Sequence, residues 1–360
     1  PSVRALAASL FVVMRTIADG VRLLLTAFVI TAVVQWIGVA EAVIALGVVM
    51  IAFTLIGGIE AIVWIEVVQF AIYILGAIAA AWILLGETGF DGAIAAGAAA
   101  GKFRMFDFAF DLTKTYTFWS GLIGGTFLTL STHGTDQYLV QRYLCTDRPR
   151  SAAKALLASA AIVFVQFAGF LFIGVLLFAF YGASAPVTAP DQIFPHFIAN
   201  HLPPGLSGLV VAAILAAALS SSLSAIAATV VSDLVKPKSE RTAMRLSRAV
   251  VVLAGVAQIA VGVGLMRSQR SALSTALSVA SLINGPILGV FFLGATKRAH
   301  TPAALIGMTA GIVAVMLVAF GTKVAWPWYT VVGSVVTFFV GMIAANFIPR
   351  EDAGSPRAQA

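Results

Sequence analysis

A chain of 360 residues that is 60 % hydrophobic and 10 % charged, with mean hydropathy +1.01, cannot hide its apolar surface in a soluble core, since soluble domains carry roughly 25 % charged residues. Continuous apolar runs exclude an outer-membrane barrel, whose strands alternate in segments of about ten residues, and a lone cysteine, Cys145, excludes an internal disulfide framework. The net charge of +7 falls mostly in short loops between apolar runs, so it reads as membrane topology and not as a nucleic-acid surface.

Ten apolar stretches are expected to cross the bilayer: 6–36, 40–57, 62–85, 116–135, 154–182, 208–232, 247–266, 272–295, 302–321 and 327–348. With loop 137–153 in the cytosol, alternation puts fourteen Lys and Arg residues on the cytosolic side and six outside, the asymmetry typical of cytoplasmic loops. Residues 1–348 read as one transmembrane domain and 349–360 as a disordered polar tail.

The first span carries Arg15, Asp19 and Arg22, spaced to share one helix face. An isolated charge at that depth is costly, so a bundle-facing structural ion pair is expected. Between spans two and three, Gly57-Gly58 permits a tight turn, and Glu66 and Gln69 put two polar groups on the next helix face. Segment 86–115 is too polar to span and is expected to form an interfacial helix.

The fourth span reads WSGLIGGTFLTLSTHGTDQYLVQRYL. Gly121, Gly124, Gly125 and Gly134 weaken it, and Thr129, Ser131, Thr132 and His133 gather where a break is expected. Interrupted helices form the midplane sites of secondary transporters, so Ser131, Thr132 and His133 are the candidate solute-binding residues. Five prolines punctuate the outer loop 183–207, where His196 and His201 read as surface residues.

The sixth span, GLVVAAILAAALSSSLSAIAATVVSD, holds Ser220, Ser221, Ser222 and Ser224 in its middle. Lipid offers those hydroxyls no partner, so they face other helices or a water-filled path. In the eighth span Asn284-Gly285-Pro286 is expected to kink or unwind the helix. Gly205-Leu206-Ser207-Gly208 matches a pattern of intramembrane serine proteases, but the only later histidine, His300, falls at the opposite membrane face. An enzyme is therefore not expected.

Four stretches in order, GGIEAIVWIEVVQ at 57–69, GTDQYLVQRYL at 134–144, the serine helix closing on SDLVKP at 232–237, and NGPILGVFFLG at 284–294, resemble the sodium:solute symporter family. The resemblance implies an all-α polytopic membrane protein of the inverted-repeat (LeuT-like) transporter fold. Its implied function is symport of a small organic solute with Na⁺ by alternating access, across the cytoplasmic membrane. The implied partners are that solute and the lipid bilayer, with no nucleic acid and no protein partner. Against the family pattern the chain starts at core helix three, so core helices 1 and 2 are expected to be missing. Spans one to eight then correspond to core helices 3–10, at about 6–295, and 302–348 to accessory helices.

Family members place a Ser-Ser or Ser-Thr pair sixteen and fifteen residues before the helix-ending Asp. Counting back from Asp233 reaches Ala217 and Ala218, whereas a three-residue gap brings Ser220 and Ser221 into the sodium-binding place. Ser221 also lies one turn from Ala217 and Ala218 and so is placed to substitute for them. Proton coupling through Asp19 or Glu66, uncoupled transport and a non-transporting truncated remnant are the alternatives. The family's Thr-Asp after the Trp of the third span is Ile65-Glu66 here, Thr132-His133 replaces an aromatic pair of the sugar carriers, and their Gln is Leu277. A sugar cargo is not implied.

Overall fold

Apolar runs bounded by helix-stopping residues give the protein its architecture. The computed structural model describes residues 2–348, except Gln35, Gly57, Gly58, 137–138, 141–142, 144–145, Asp147, 183–186, 188–189, 219–221, 267–271 and 297–299. The expected Gly57-Gly58 turn, Ser220, Ser221 and the tail 349–360 therefore lie outside the described residues.

Three long helices open the chain: α1 (Ser2–Val33), α2 (Val39–Ile56) and α3 (Ile59–Thr88), followed by the short α4 (Phe90–Ala99). After an extended stretch, a π-helical turn at Ser120–Gly124 leads into α5 (Gly125–Thr135). Next come α6 (Pro149–Tyr181), α7 (Ile193–His201), α8 (Pro204–Ala218) and α9 (Ser222–Thr229), the last continued by a π-helical turn at Val230–Val235. Four more helices follow: α10 (Glu240–Leu265), α11 (Ala272–Ala295), α12 (Thr301–Gly321) and α13 (Pro327–Phe347).

Eight of the described helices, α1, α2, α3, α6 and α10 to α13, are long and apolar enough to cross a membrane. The shortest, α2, has 18 residues, which at 1.5 Å each reach about 27 Å, close to the hydrocarbon thickness. The remaining expected spans are represented by shorter pieces: the π-helical turn with α5, and α8 and α9 on either side of 219–221.

Punctuation in the sequence sets the ends. α6, α12 and α13 each begin with proline in the first turn, where its missing N–H costs nothing. α6 stops at Gly182, whose φ of 63° suits glycine. The serine-rich segment stops at Lys236, which takes the left-handed conformation (φ 49°, ψ 62°) and precedes Pro237.

The chain groups into two compact units. The larger comprises Val12–Phe106 and Gln141–Ala276 and contains two cores. One joins α1, α2, α9 and α10 around Leu23, Val43, Met50, Leu223 and Ile226. The other joins α3, α4, α6, α7 and α8 around Leu84, Leu176, Phe197 and Ile198.

The smaller unit comprises Pro1–Phe11, Asp107–Val140 and Leu277–Ala360. Its entry loop is pinned by Ala325 N–H donating to Leu112 O (2.7 Å) and Phe118 N–H donating to Asp107 O (2.8 Å). In that loop the Thr113 hydroxyl, then its backbone N–H, hold the Asp111 carboxyl below the usual range.

Of the kink or unwinding expected at Asn284-Gly285-Pro286, unwinding does not occur: α11 runs as one helix with Pro286 inside it. α13 packs closely against this stretch. A β-carbon at Gly285 would fall 2.9 Å from Thr330 O, and one at Gly333 would fall 2.6 Å from Pro286 Cδ, so the two backbones meet directly. At that contact the Thr330 hydroxyl donates to Ser281 O (3.3 Å) and the Ser334 hydroxyl to Gly285 O (3.0 Å). These hydroxyls tie α13 to α11 at either end of the turn before the proline.

Gly285→Ala should lower the detergent-solubilised unfolding free energy by about 1–3 kcal/mol, the usual cost of overpacking. Gly294→Ala, where an added β-carbon meets nothing within 4 Å, should leave it unchanged. Thermal unfolding of the two variants side by side checks both.

Candidate functional site

The fourth span is built so that nearly every polar group is satisfied from within. At its start Thr117 N–H donates to Ser120 Oγ (2.9 Å) and Ser120 N–H returns the bond to Thr117 Oγ1 (3.1 Å). This reciprocal cap is buried, with Thr117 6 % and Ser120 1 % exposed. Glycine serves packing next: a β-carbon on Gly124 would lie 2.5 Å from Pro327 O at the start of α13.

No break occurs at the expected place, because α5 is helical from Gly125 to Thr135 and the irregular turn lies earlier, at Ser120–Gly124. The hydroxyls explain why. Ser131 Oγ and Thr132 Oγ1 both donate to Leu128 O at 2.8 Å, and Thr135 Oγ1 donates to Ser131 O at 2.8 Å. Each finds its partner on its own helix, so its place in an apolar setting requires no break there. Ser131 is buried, Thr132 and His133 are half-buried, and Thr129 is exposed. On this helix His133 Nδ1 is the buried side-chain atom without a hydrogen-bond partner among the described residues.

Past α5, Asp136 turns extended at ψ 113° and is 7 % exposed. Its carbonyl accepts from Leu139 N–H (3.1 Å) and Val140 N–H (2.9 Å).

In the larger unit the charged trio of α1 pairs as its spacing predicts. Asp19 Oδ2 lies 3.5 Å from Arg15 Nε and Asp19 Oδ1 lies 3.4 Å from Arg22 Nη2. The Asp19 side chain is 3 % exposed and that of Arg22 40 %. Glu66 and Gln69 are half-buried on α3 while Val67, Val68 and Phe70 are exposed, so the two polar groups share the inward face. Flanking 219–221, Ser222 is buried on α9, and Thr229 donates to Ala225 O at 2.9 Å. No group of three His, Cys, Asp or Glu suited to a metal ion occurs among the described residues. Ser207 donates to Pro204 O (3.0 Å), and His300 caps α12 by accepting from Ala303 N–H (3.4 Å), so both hold structural posts.

One polar residue escaped the sequence reading. Gln258, on α10, is fully buried, and both side-chain amide atoms lack a partner among the described residues. A single amide inside VVVLAGVAQIAVGVGL has no helical companion to signal it.

The sequence pattern of the sodium:solute symporter family matches residues 2–311. A sodium/sialic acid symporter of Aliivibrio fischeri is 34 % identical over 239 residues, covering 62 % of this chain and 47 % of the relative. The human sodium/iodide cotransporter is 32 % identical over 241 residues, covering 63 % and 38 %. Human sodium-coupled monocarboxylate transporter 1 is 32 % identical over 243 residues, covering 63 % and 40 %. The chain thus spans less than half the length of these relatives. A solved substrate-bound, outward-open Na⁺-coupled sialic acid symporter superposes with a TM-score of 0.81 at 26 % identity, covering 95 % of this chain and 74 % of that one. The fold is accordingly that of the inverted-repeat (LeuT-like) transporters.

Asp19→Asn removes the carboxylate that Arg15 and Arg22 both approach. Removing one partner of a buried pair costs about 3–5 kcal/mol, and the exposure of Arg22 reduces this to roughly 1–3 kcal/mol. The expected result is a lower unfolding midpoint in detergent, part of which Arg15→Gln in the same background restores. A midpoint indifferent to Asp19→Asn would show that the pair is not structural.

Proposed function

Because the chain belongs to the sodium:solute symporter family, we propose that the protein is a secondary transporter. It moves a small organic solute across the cytoplasmic membrane by alternating access, with Na⁺ as the coupled ion, and its two compact units work as one transporter domain. The observation that carries the solute path is His133 Nδ1, buried without a partner among the described residues on a helix whose hydroxyls bond back to its own carbonyls. A buried nitrogen left unpaired costs about 1–3 kcal/mol. A polar group arriving with the cargo offsets that cost, which gives Ser131, Thr132 and His133 their role along the path. Relatives named for sialic acid, iodide and monocarboxylates make a small organic acid the first cargo to test.

Na⁺ is a hard cation that needs oxygen ligands in place of its hydration shell. Ser220 and Ser221 are the hydroxyls proposed to supply some of them, with backbone carbonyls completing the set. Proton coupling through Asp19 or Glu66 is the alternative, favoured by Ala217 and Ala218 standing where an ungapped register puts the family's paired hydroxyls.

Uptake into proteoliposomes of the full-length protein tests the assignment, using sialic acid and short monocarboxylates with Na⁺ or choline outside at fixed pH. Uptake should collapse in choline, and Ser220→Ala or Ser221→Ala should raise the Na⁺ concentration for half-maximal uptake. Uptake that ignores Na⁺ but follows an imposed pH gradient would establish proton coupling instead. His133→Ala should raise the cargo KM about three- to tenfold, the worth of one hydrogen bond. An unchanged KM would reduce His133 to a packing residue.

A further inference from the structure

The segment expected to lie at the outer interface forms a feature that solute transport does not use. In the larger unit a cleft of about 350 Å³ opens between Glu87 and Thr88 in the last turn of α3, Gly92 and Ala96 of α4, and Ala179 and Phe180 in the last turn of α6. We propose that this cleft binds a small organic ammonium ion. The inference does not rest on the transport reading.

Charge argues first. Two helix C-termini, those of α3 and α6, supply residues to the cleft, and their last carbonyls carry partial negative charge that favours a cation. Neither helix has a basic residue in its last turn. The Glu87 carboxylate adds a full negative charge and has no ion-pair partner among the described residues. The nearby cation Lys102 lies over the Phe178 ring, 4.7 Å from its centroid, and neither residue lines the cleft. α4 lines the cleft with Gly92 and Ala96, and Asp91 in its first turn offsets its positive end.

Shape and surface narrow the class. Phe180 lines the cleft, and its ring is held by edge contacts with Tyr181 (4.9 Å), Phe197 (5.7 Å) and His201 (4.8 Å). Such a fixed ring attracts an ammonium group that has shed part of its water. Thr88 Oγ1 donates to Leu84 O (2.8 Å), so its oxygen remains an acceptor. A calcium ion requires six to eight oxygens and usually several carboxylates, whereas Glu87 is the one carboxylate lining the cleft. Gly92, Ala96 and Ala179 instead give room and apolar surface for a short carbon body.

Saturation-transfer NMR on the purified full-length chain in detergent tests this, with n-butylammonium as probe and n-butanol as its neutral counterpart. Butylammonium should bind saturably in the millimolar range and be displaced by tetramethylammonium. Glu87→Gln should weaken it about three- to fivefold, as removing an exposed charge partner does, and Phe180→Leu about two- to fivefold through the lost ring. Glu87 is exposed, so its substitution tests the site even if Phe180→Leu fails to fold. Butanol binding as tightly as butylammonium, affinity unchanged in Glu87→Gln, or displacement by equimolar Ca²⁺ would each overturn the proposal.

Discussion

Inside a membrane no water stands ready to take a hydrogen bond, and the rest of this structure follows from how its polar groups are satisfied without one. Threonine and serine hydroxyls turn back onto their own helix: Thr26 to Arg22 O, Thr54 to Met50 O, Thr132 to Leu128 O, Thr229 to Ala225 O. Helix association then rests on close approach, since lipid tails are as apolar as leucine and burial alone drives little. Glycine provides that approach. A β-carbon on Gly20 would sit 2.6 Å from Val261 Cγ1, and one on Gly262 3.0 Å from Gly20 O, so α1 and α10 touch almost backbone to backbone.

In the smaller unit the same constraint produces a layered contact. Gly285 and Gly289 of α11 and Gly307 and Gly311 of α12 all abut α13 along Thr330, Ser334 and Thr337. The α13 hydroxyls do double service, filling the space that the glycines leave and donating to α11 carbonyls beside Pro286. A proline that reads in isolation as a helix breaker thus becomes part of a packed seam. The Gly285 carbonyl just before it is tied to α13 by Ser334, a residue nearly fifty positions away.

This contrast marks what the sequence could reveal. The positions of eight of the ten expected spans and the Arg15-Asp19-Arg22 trio were legible because each depends on neighbours within one or two helical turns. The behaviour of the fourth span was not. Its glycines and hydroxyls signal weakness when taken alone, yet Gly124 serves contact with Pro327 and the hydroxyls find their partners on α5 itself. Whether a glycine loosens a helix or lets another helix in depends on the partner, which lies far away in sequence. Gln258 stayed invisible for the opposite reason, as its single amide breaks no periodicity.

A protein that alternates between states needs polar groups whose partners change, because a fully satisfied group gives no preference for either state. Back-bonded hydroxyls such as Ser131 and Thr132 keep their donor bond as long as α5 stays helical, so they can meet a solute only as acceptors. His133 Nδ1 and the Gln258 amide are different, being buried and without partners among the described residues. An unsatisfied group raises the free energy of the state that contains it by about 1–3 kcal/mol. A ligand or rearrangement that supplies the missing bond gains that amount relative to one that does not. Few such groups are needed, since 1.4 kcal/mol already shifts a two-state balance about tenfold.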